Sequence, residues 1–274
     1  MAGFDVTKFA SSKAKPLPII LMLDESNSMS GEKIERLNEA VRKMLNSFKK
    51  EETQASEFLV SIIGFGGDYQ DGMDGQSAKV HNQPTAAADI QFTGVSAYGW
   101  TPLGEALKLA KGLIEDKEKT PSRAYRPLVI LVTDGMPTDD WKGPFFDFVE
   151  NGRSAKCDRM ALGVGGNTDM DMLSKFVAGT GHQVFTTDQA DGIVKFFNFV
   201  TMSVVTRTRS QNPNLVPADR EVKPLPAPGS ETEDSADAEV VSAEYEVVTE
   251  AESAPELEPE SKPINLDDED DFWF

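Results

Sequence analysis

Residues 18–24 read Pro-Ile-Ile-Leu-Met-Leu-Asp, and residues 127–133 read Pro-Leu-Val-Ile-Leu-Val-Thr, followed by Asp134 and Gly135. Each is a short, unbroken apolar run that ends in oxygen-bearing side chains. Such runs suit strands buried on both faces, as in a parallel sheet covered by helices. Working outward, residues 58–64 (FLVSIIG), 159–164 and 183–186 read as further strands, with a short one at 89–92. Between them lie helical spacings. Ile34, Leu37, Val41, Leu45 and Phe48 recur at intervals of three and four, as do Leu103, Ala106, Leu107, Ala110 and Leu113 after Pro102. Residues 145–149, 170–178 and 189–205 complete the helices. Strand–helix alternation of this kind predicts an α/β fold, a doubly wound and mostly parallel sheet with helices on both faces. Residues 68–84, rich in Gly and Asp, are expected to be a surface loop.

Composition divides the chain. The whole carries 27 Lys and Arg against 46 Asp and Glu, a net charge of −19. Residues 211–274 hold 19 acids and 3 bases, whereas residues 1–210 come out at only −3. Half of the 16 prolines also fall after residue 210. With so few apolar side chains to offset the ordering of the backbone, 211–274 is expected to be a disordered acidic tail. This gives three parts: an extension at 1–15, a domain at 16–210 and the tail. The acidity and the lack of a basic stripe argue against a nucleic-acid partner. The apolar run at 16–23 is too short to span a membrane and lacks a signal-cleavage pattern, so a cytoplasmic location is expected. Cys157 is the only cysteine, which excludes an intrachain disulfide. It reads as a small buried residue. Neither His81 nor His182 neighbours a Ser or Cys in a nucleophile motif, and residues 163–166 (GVGG) lack a complete phosphate-binding signature.

The chemistry gathers at the strand ends, where ligands of doubly wound sheets bind. The first strand runs into Asp24-Glu25-Ser26-Asn27-Ser28. The loop before the Pro102 helix supplies Trp100 and Thr101, and the central strand ends at Asp134. Alternate positions in Asp24-x-Ser26-x-Ser28 can point inward together. Two carboxylates and three hydroxyls suit a hard divalent cation, above all Mg²⁺, with Mn²⁺ or Ca²⁺ as alternatives. The absence of His and Cys from it argues against zinc and copper. Two carboxylates only balance the cation's charge, leaving it able to take an incoming carboxylate. Glu25, Asp139 and Asp140 would weaken that capture unless they point away.

The ordered set Asp24-x-Ser26-x-Ser28, Thr101 and Asp134 resembles the metal-ion-dependent adhesion site of von Willebrand factor A domains, over about residues 16–206. The resemblance implies that the serines and the threonine coordinate Mg²⁺, that the aspartates bind directly or through water, and that a partner's Glu or Asp completes the shell. Residues 101–107 (TPLGEAL), 133–141 (TDGMPTDDW) and 195–204 (KFFNFVTMSV) look more specifically like the bacterial TerY/YegL subgroup. That likeness implies a tellurite-resistance-type or other stress-response system with a Ser/Thr kinase and a PP2C-type phosphatase as partners. Asn27 and Trp100 stand where the family often has Gly; Trp100 would place a large ring beside the metal and shape which partner fits. The expected role is therefore metal-dependent protein binding without catalysis. Two alternatives remain: a phosphotransfer enzyme using Asp24, although Ser26 stands where such enzymes carry a second Asp, and a scaffold that recruits mainly through its tail. The tail ends in five acids, Asp267, Asp268, Glu269, Asp270 and Asp271, and then Phe272, Trp273 and Phe274, which suits docking into a basic groove with an apolar hole. An acid of the tail could equally occupy the chain's own open metal position.

Overall fold

The computed structural model describes residues 15–52, 56–66, 77–210, 214, 264–265 and 267. Seven strands form one sheet: β1 (Lys15–Asp24), β2 (Ser56–Gly66), β3 (Ser77–Ala86), β4 (Leu128–Thr133), β5 (Asp158–Val164), β6 (Val184–Thr187) and β7 (Ile264–Asn265), in the order β3-β2-β1-β4-β5-β6-β7. Every neighbouring pair is parallel except β2 with β3. The helices are α1 (Glu32–Glu51), α2 (Leu103–Glu115), α3 (Lys142–Glu150), α4 (Met170–Val177) and α5 (Ala190–Arg209).

Alternate side chains of each strand face opposite ways, and each face carries its own core. Leu17, Ile19, Leu21 and Leu23 of β1 pack with Leu37, Val41 and Phe48 of α1 and with Phe196, Val200 and Val204 of α5. Ile20 and Met22 pack on the other side with Leu107 and Ile114 of α2, Phe145 and Phe148 of α3, and Phe176 of α4. The helices do lie on both faces, and the unbroken apolar runs of β1 and β4 follow from burial on both sides. Phe196, Phe197 and Phe199 are core residues of α5. Cys157 is buried, and burial pushes its thiol up to about 12, which makes it inert.

Three expectations change. Residues 77–84, expected in a loop, belong to β3, which pairs antiparallel with β2 and shifts register near Val60 and Ile62. An edge strand needs no continuous apolar run and tolerates Pro84, so composition alone hides it. Residues 67–76 lie outside the described residues. The short strand expected at 89–92 is absent: Ala87–Asp89 form a 3₁₀ turn and 90–92 have no regular structure. The tail expected to be disordered over 211–274 includes β7, parallel to β6 with Ile264 beside Phe185 and Asn265 beside Thr186. The unpaired backbone groups of an edge strand accept a short segment whatever its composition, which is why the charge count misses it. Phe272, Trp273 and Phe274, the docking residues expected from the sequence, lie outside the described residues, as does 1–14.

The chain winds from β1 outward to β2 and then returns past β1 to β4. Winding therefore reverses between β1 and β4, and the crevice at their carboxyl ends is where such sheets bind ligands.

Candidate metal centre

Asp24 ends β1 and Thr133 ends β4, side by side in the register that pairs Leu23 with Val132. The Thr133 hydroxyl donates to Asp24 Oδ2 at 2.6 Å, and the Ser26 amide donates to Oδ1 at 2.8 Å. Asp24 is fully buried. Burial raises its carboxyl from the ordinary 3.8 to about 6, against the opposing effect of the Ser26 and Thr133 hydrogen bonds.

From Asp24 the chain turns at residues 26–29, so that Ser26 Oγ lies 2.9 Å from Ser28 Oγ. Ser28 Oγ in turn donates to Asp134 Oδ1 at 2.6 Å. Thr101 is buried in the adjoining loop, tied to the Asp134 segment through Thr101 N to Thr138 Oγ1 and Thr138 N to Thr101 O, both at 3.0 Å. A methyl group on Gly135 would stand 3.6 Å from Thr101 Oγ1. All five residues expected as ligands thus meet at the switch point, from three segments far apart in sequence. The edges of a Mg²⁺ octahedron are about 3 Å long, close to the separations of the Ser26, Ser28 and Asp134 oxygens. Among the described residues no three His, Cys, Asp or Glu side chains gather as a metal site. The set present at the switch point is built largely on hydroxyls, and its oxygens fit a hard divalent cation.

Backbone packing makes this loop cluster possible. Asn27 N donates to Gly99 O and Tyr98 N to Glu25 O, which joins the β1 and Thr101 loops directly. Gly66, at φ +112°, lies beneath both: a Cβ there would sit 2.6 Å from Ser26 N and 2.7 Å from Trp100 O.

Two of the three neighbouring acids are engaged outside the cluster. Glu25 is buried and pairs with His81 Nε2 of β3 at 2.7 Å. Asp139 accepts from the amides of Gly104 and Glu105 at 3.1 and 3.0 Å, at the start of α2. Neither therefore opposes an acidic partner at the site. His81 was hidden by the loop assignment of its strand. Sequence reasoning also missed Lys33 on the first turn of α1, whose Nζ lies 2.7 Å from Asp134 Oδ2. A Lys one turn into a helix carries no local signal of this contact. Lys33 competes with a cation for Asp134, so Lys33→Met is expected to tighten divalent-cation binding about fivefold, the effect of roughly 1 kcal/mol from a partly exposed charge. Calorimetric titration with Mg²⁺ checks this, and unchanged or weaker affinity refutes it.

The raised Asp24 carboxyl has a defined consequence for the metal-free protein. The folded state keeps this proton to higher pH than the unfolded chain, so the penalty of the buried charge is absent below 3.8 and complete above about 6. Stability should fall by about 3 kcal/mol as pH rises through that window. Urea denaturation of wild type and Asp24→Asn at pH 4 and pH 7 measures this, because the variant should lack that component. Parallel pH profiles for the two would contradict it.

Around the cluster, Tyr98, Trp100 and Met136 are 49%, 56% and 57% exposed. Trp100 therefore stands in solvent and does not cover the core. Among the described residues no helix is long and apolar enough to cross a membrane.

The human inter-alpha-trypsin inhibitor heavy chain H4 is 26% identical over 194 residues, 65% of this chain and 19% of that protein. Human heavy chain H6 is 25% identical, over 70% of this chain and 15% of its own length. This chain thus spans under a fifth of the length of those relatives. Among solved structures, a von Willebrand factor type A protein from Catenulispora acidiphila superposes with a TM-score of 0.51 at 18% identity, covering 69% of this chain and 43% of that one. The pilus adhesin SpaC from Lactobacillus rhamnosus GG gives 0.54 at 16% identity, covering 72% of this chain and 31% of that one. Both share the fold. The model of the von Willebrand factor type A domain matches residues 19–198, from β1 through α5, and the chain belongs to that family.

Proposed function

We propose that this chain is a non-catalytic protein-binding module whose contact runs through a divalent cation. Asp24, Ser26, Ser28, Thr101 and Asp134 hold the cation, Mg²⁺ by preference and Mn²⁺ or Ca²⁺ as substitutes, and a partner's Glu or Asp completes its shell. The observation that carries this reading is the convergence of three hydroxyls and two carboxylates at the switch point, under an exposed apolar rim. Membership of a family related to metal-binding interaction modules supports it. So does charge: the two aspartates balance the cation, and Lys33 leaves the site positive toward an incoming carboxylate. Bound there, the cation supplies electrostatic attraction, while Trp100 supplies apolar contact beside it.

The likeness of residues 101–107, 133–141 and 195–204 to the TerY/YegL subgroup extends the proposal to a cytoplasmic, bacterial stress-response system of the tellurite-resistance type. Its partners there are a Ser/Thr kinase and a PP2C-type phosphatase. Nothing in the geometry favours phosphotransfer through Asp24, since both its oxygens accept hydrogen bonds and the group is buried.

Calorimetry on the full chain tests the reading. Wild type should take up one Mg²⁺, and Asp24→Ala should lower that affinity about a hundredfold, in keeping with removal of a charged ligand from a partly desolvated site. A wild type that binds no divalent cation, or an Asp24→Ala that binds as well, refutes it. Phosphoester turnover by the purified chain would establish the enzymatic alternative instead.

A further inference from the structure

β6 would be the edge of the sheet, and β7 covers only part of it. β5 pairs with all four residues of β6, Val184 to Thr187, whereas β7 pairs with Phe185 and Thr186. Past that paired stretch the contact passes from backbone to side chain. Asp267 Oδ1 accepts from Thr187 Oγ1 at 2.7 Å and its Oδ2 from the Asp188 amide, at the turn that leads into α5. A carboxylate at the start of that helix is also favoured by the helix dipole.

This seat is shaped by the fold, and it can be vacated. Gly192, in the first turn of α5, makes room for Thr187, since a Cβ there would overlap the threonine's Oγ1 and Cβ. Thr187 is buried, so its hydroxyl needs a partner. Gln189 O lies 2.9 Å from the same hydroxyl. One proton cannot serve both acceptors, and a carboxylate is the stronger. When a carboxylate leaves, Gln189 O takes the proton and no buried group is stranded. Two ladder positions and one carboxylate are also a short grip, and parallel pairing is the weaker kind.

We infer that the outer edge of β6, with the Thr187 hydroxyl and the Asp188 amide beyond it, is a strand-addition site for a partner protein. It takes an extended, parallel segment that carries an Asp three residues after the position paired with Phe185. The chain's own segment shows that spacing: Ile264 pairs with Phe185, and Asp267 reaches Thr187. The backbone ladder supplies affinity with little regard to side chains, and the carboxylate supplies selection. Belonging to the same chain, β7 and Asp267 act at high local concentration and keep the site closed until a partner displaces them. A partner gains by length, because it can also pair with Val184 and Thr187, which no described residue pairs on that side. The site is separate from the cation. β6 and β4 are two strand spacings apart, about 10 Å, and none of the five candidate ligands takes part.

The probe is a fluorescein-labelled peptide of residues 261–267 (SKPINLD), amidated at its carboxyl end, and binding is read by fluorescence anisotropy. The full chain carrying Ile264→Gly, Asn265→Gly, Leu266→Gly and Asp267→Gly together keeps its length and vacates the seat. It should bind the peptide about tenfold or more tightly than wild type, whose own segment competes. Asp267→Asn in the peptide, or Thr187→Val added to the vacated chain, should each weaken binding about tenfold, the loss of a charge-assisted hydrogen bond. No binding by the vacated chain overturns the inference. So does equal binding by wild type and the vacated chain, or indifference to Asp267→Asn in the peptide. Binding should be the same in EDTA as in Mg²⁺. Binding that vanishes in EDTA marks capture of the peptide's acid by the cation, which overturns this inference and supports the cation reading. Wild-type dimers that dissociate in the vacated chain place a second copy's segment in the seat, and overturn it equally.

Discussion

Gly66→Ala is expected to lose most of the divalent-cation affinity and about 3 kcal/mol of stability, although residue 66 supplies no ligand. Two effects add. The residue sits at φ +112°, where an L side chain is strained by roughly 1–2 kcal/mol. Its Cβ would also lie 2.6 Å from Ser26 N and 2.7 Å from both Glu25 C and Trp100 O. All three are backbone atoms, so no rotamer change relieves the overlap, and forced backbone shifts cost about 1–3 kcal/mol. The shift falls on the segments that carry Ser26 and Thr101, which should weaken cation binding about tenfold or more, since such sites tolerate displacements of only about 0.5 Å. Gly31→Ala is the control. Gly31 also has positive φ (+79°), but nothing lies within 4 Å of the added Cβ. It should cost about 1 kcal/mol and leave Mg²⁺ affinity unchanged. Equal effects of the two substitutions, by calorimetry and urea denaturation, would show that strain alone decides and that Gly66 does not position the site.

Arg207→Leu should destabilise the domain by about 3–5 kcal/mol, because it strands a buried carboxylate. Arg207 lies in the last turns of α5, yet its side chain is almost fully buried. Its Nη2 donates to Arg126 O at 2.6 Å, and its Nη1 stands 3.8 Å from Asp158 Oδ2. His182 Nε2 meets the same oxygen at 3.2 Å. Burial works against the guanidinium's charge, and the nearby Asp158 works for it. Among the described residues Asp158 Oδ1 has no hydrogen-bond partner, so without Arg207 the carboxylate would have even less compensation. Pairing Arg207→Leu with Asp158→Asn should recover much of the loss, because the stranded charge goes with its partner. Thermal or urea unfolding measures the cycle. Strict additivity of the two losses would show that no such coupling exists.

Neither residue announces itself locally. Gly66 lies two residues past the strand read at 58–64, and Arg207 two residues past the helix read at 189–205. The same holds for His81, whose contact with Glu25 depends on an edge strand that composition disguises as a loop. By contrast, the placement of the candidate ligands was legible because they border regular elements. Asp24 follows 18–23, Asp134 follows 127–133, and Thr101 precedes the Pro102 helix start. Strand ends in a doubly wound sheet share one edge, so a one-dimensional pattern carries three-dimensional information there.

What the sequence by itself determined is the alternation of buried strands and amphipathic helices, and with it the location of Asp24, Ser26, Ser28, Thr101 and Asp134 at one edge. Periodicity and burial are local signals, repeated along the chain and reinforced by many residues. Only the tertiary structure decided which charges face that edge and which turn away: Lys33 inward to Asp134, Glu25 to His81, Asp139 to the start of α2. It also decided that part of an acidic tail returns as β7 beside β6. Those outcomes rest on single contacts between residues tens of positions apart. A single contact of that kind leaves no period in a sequence, because its energy arises only once the sheet has brought the two residues together.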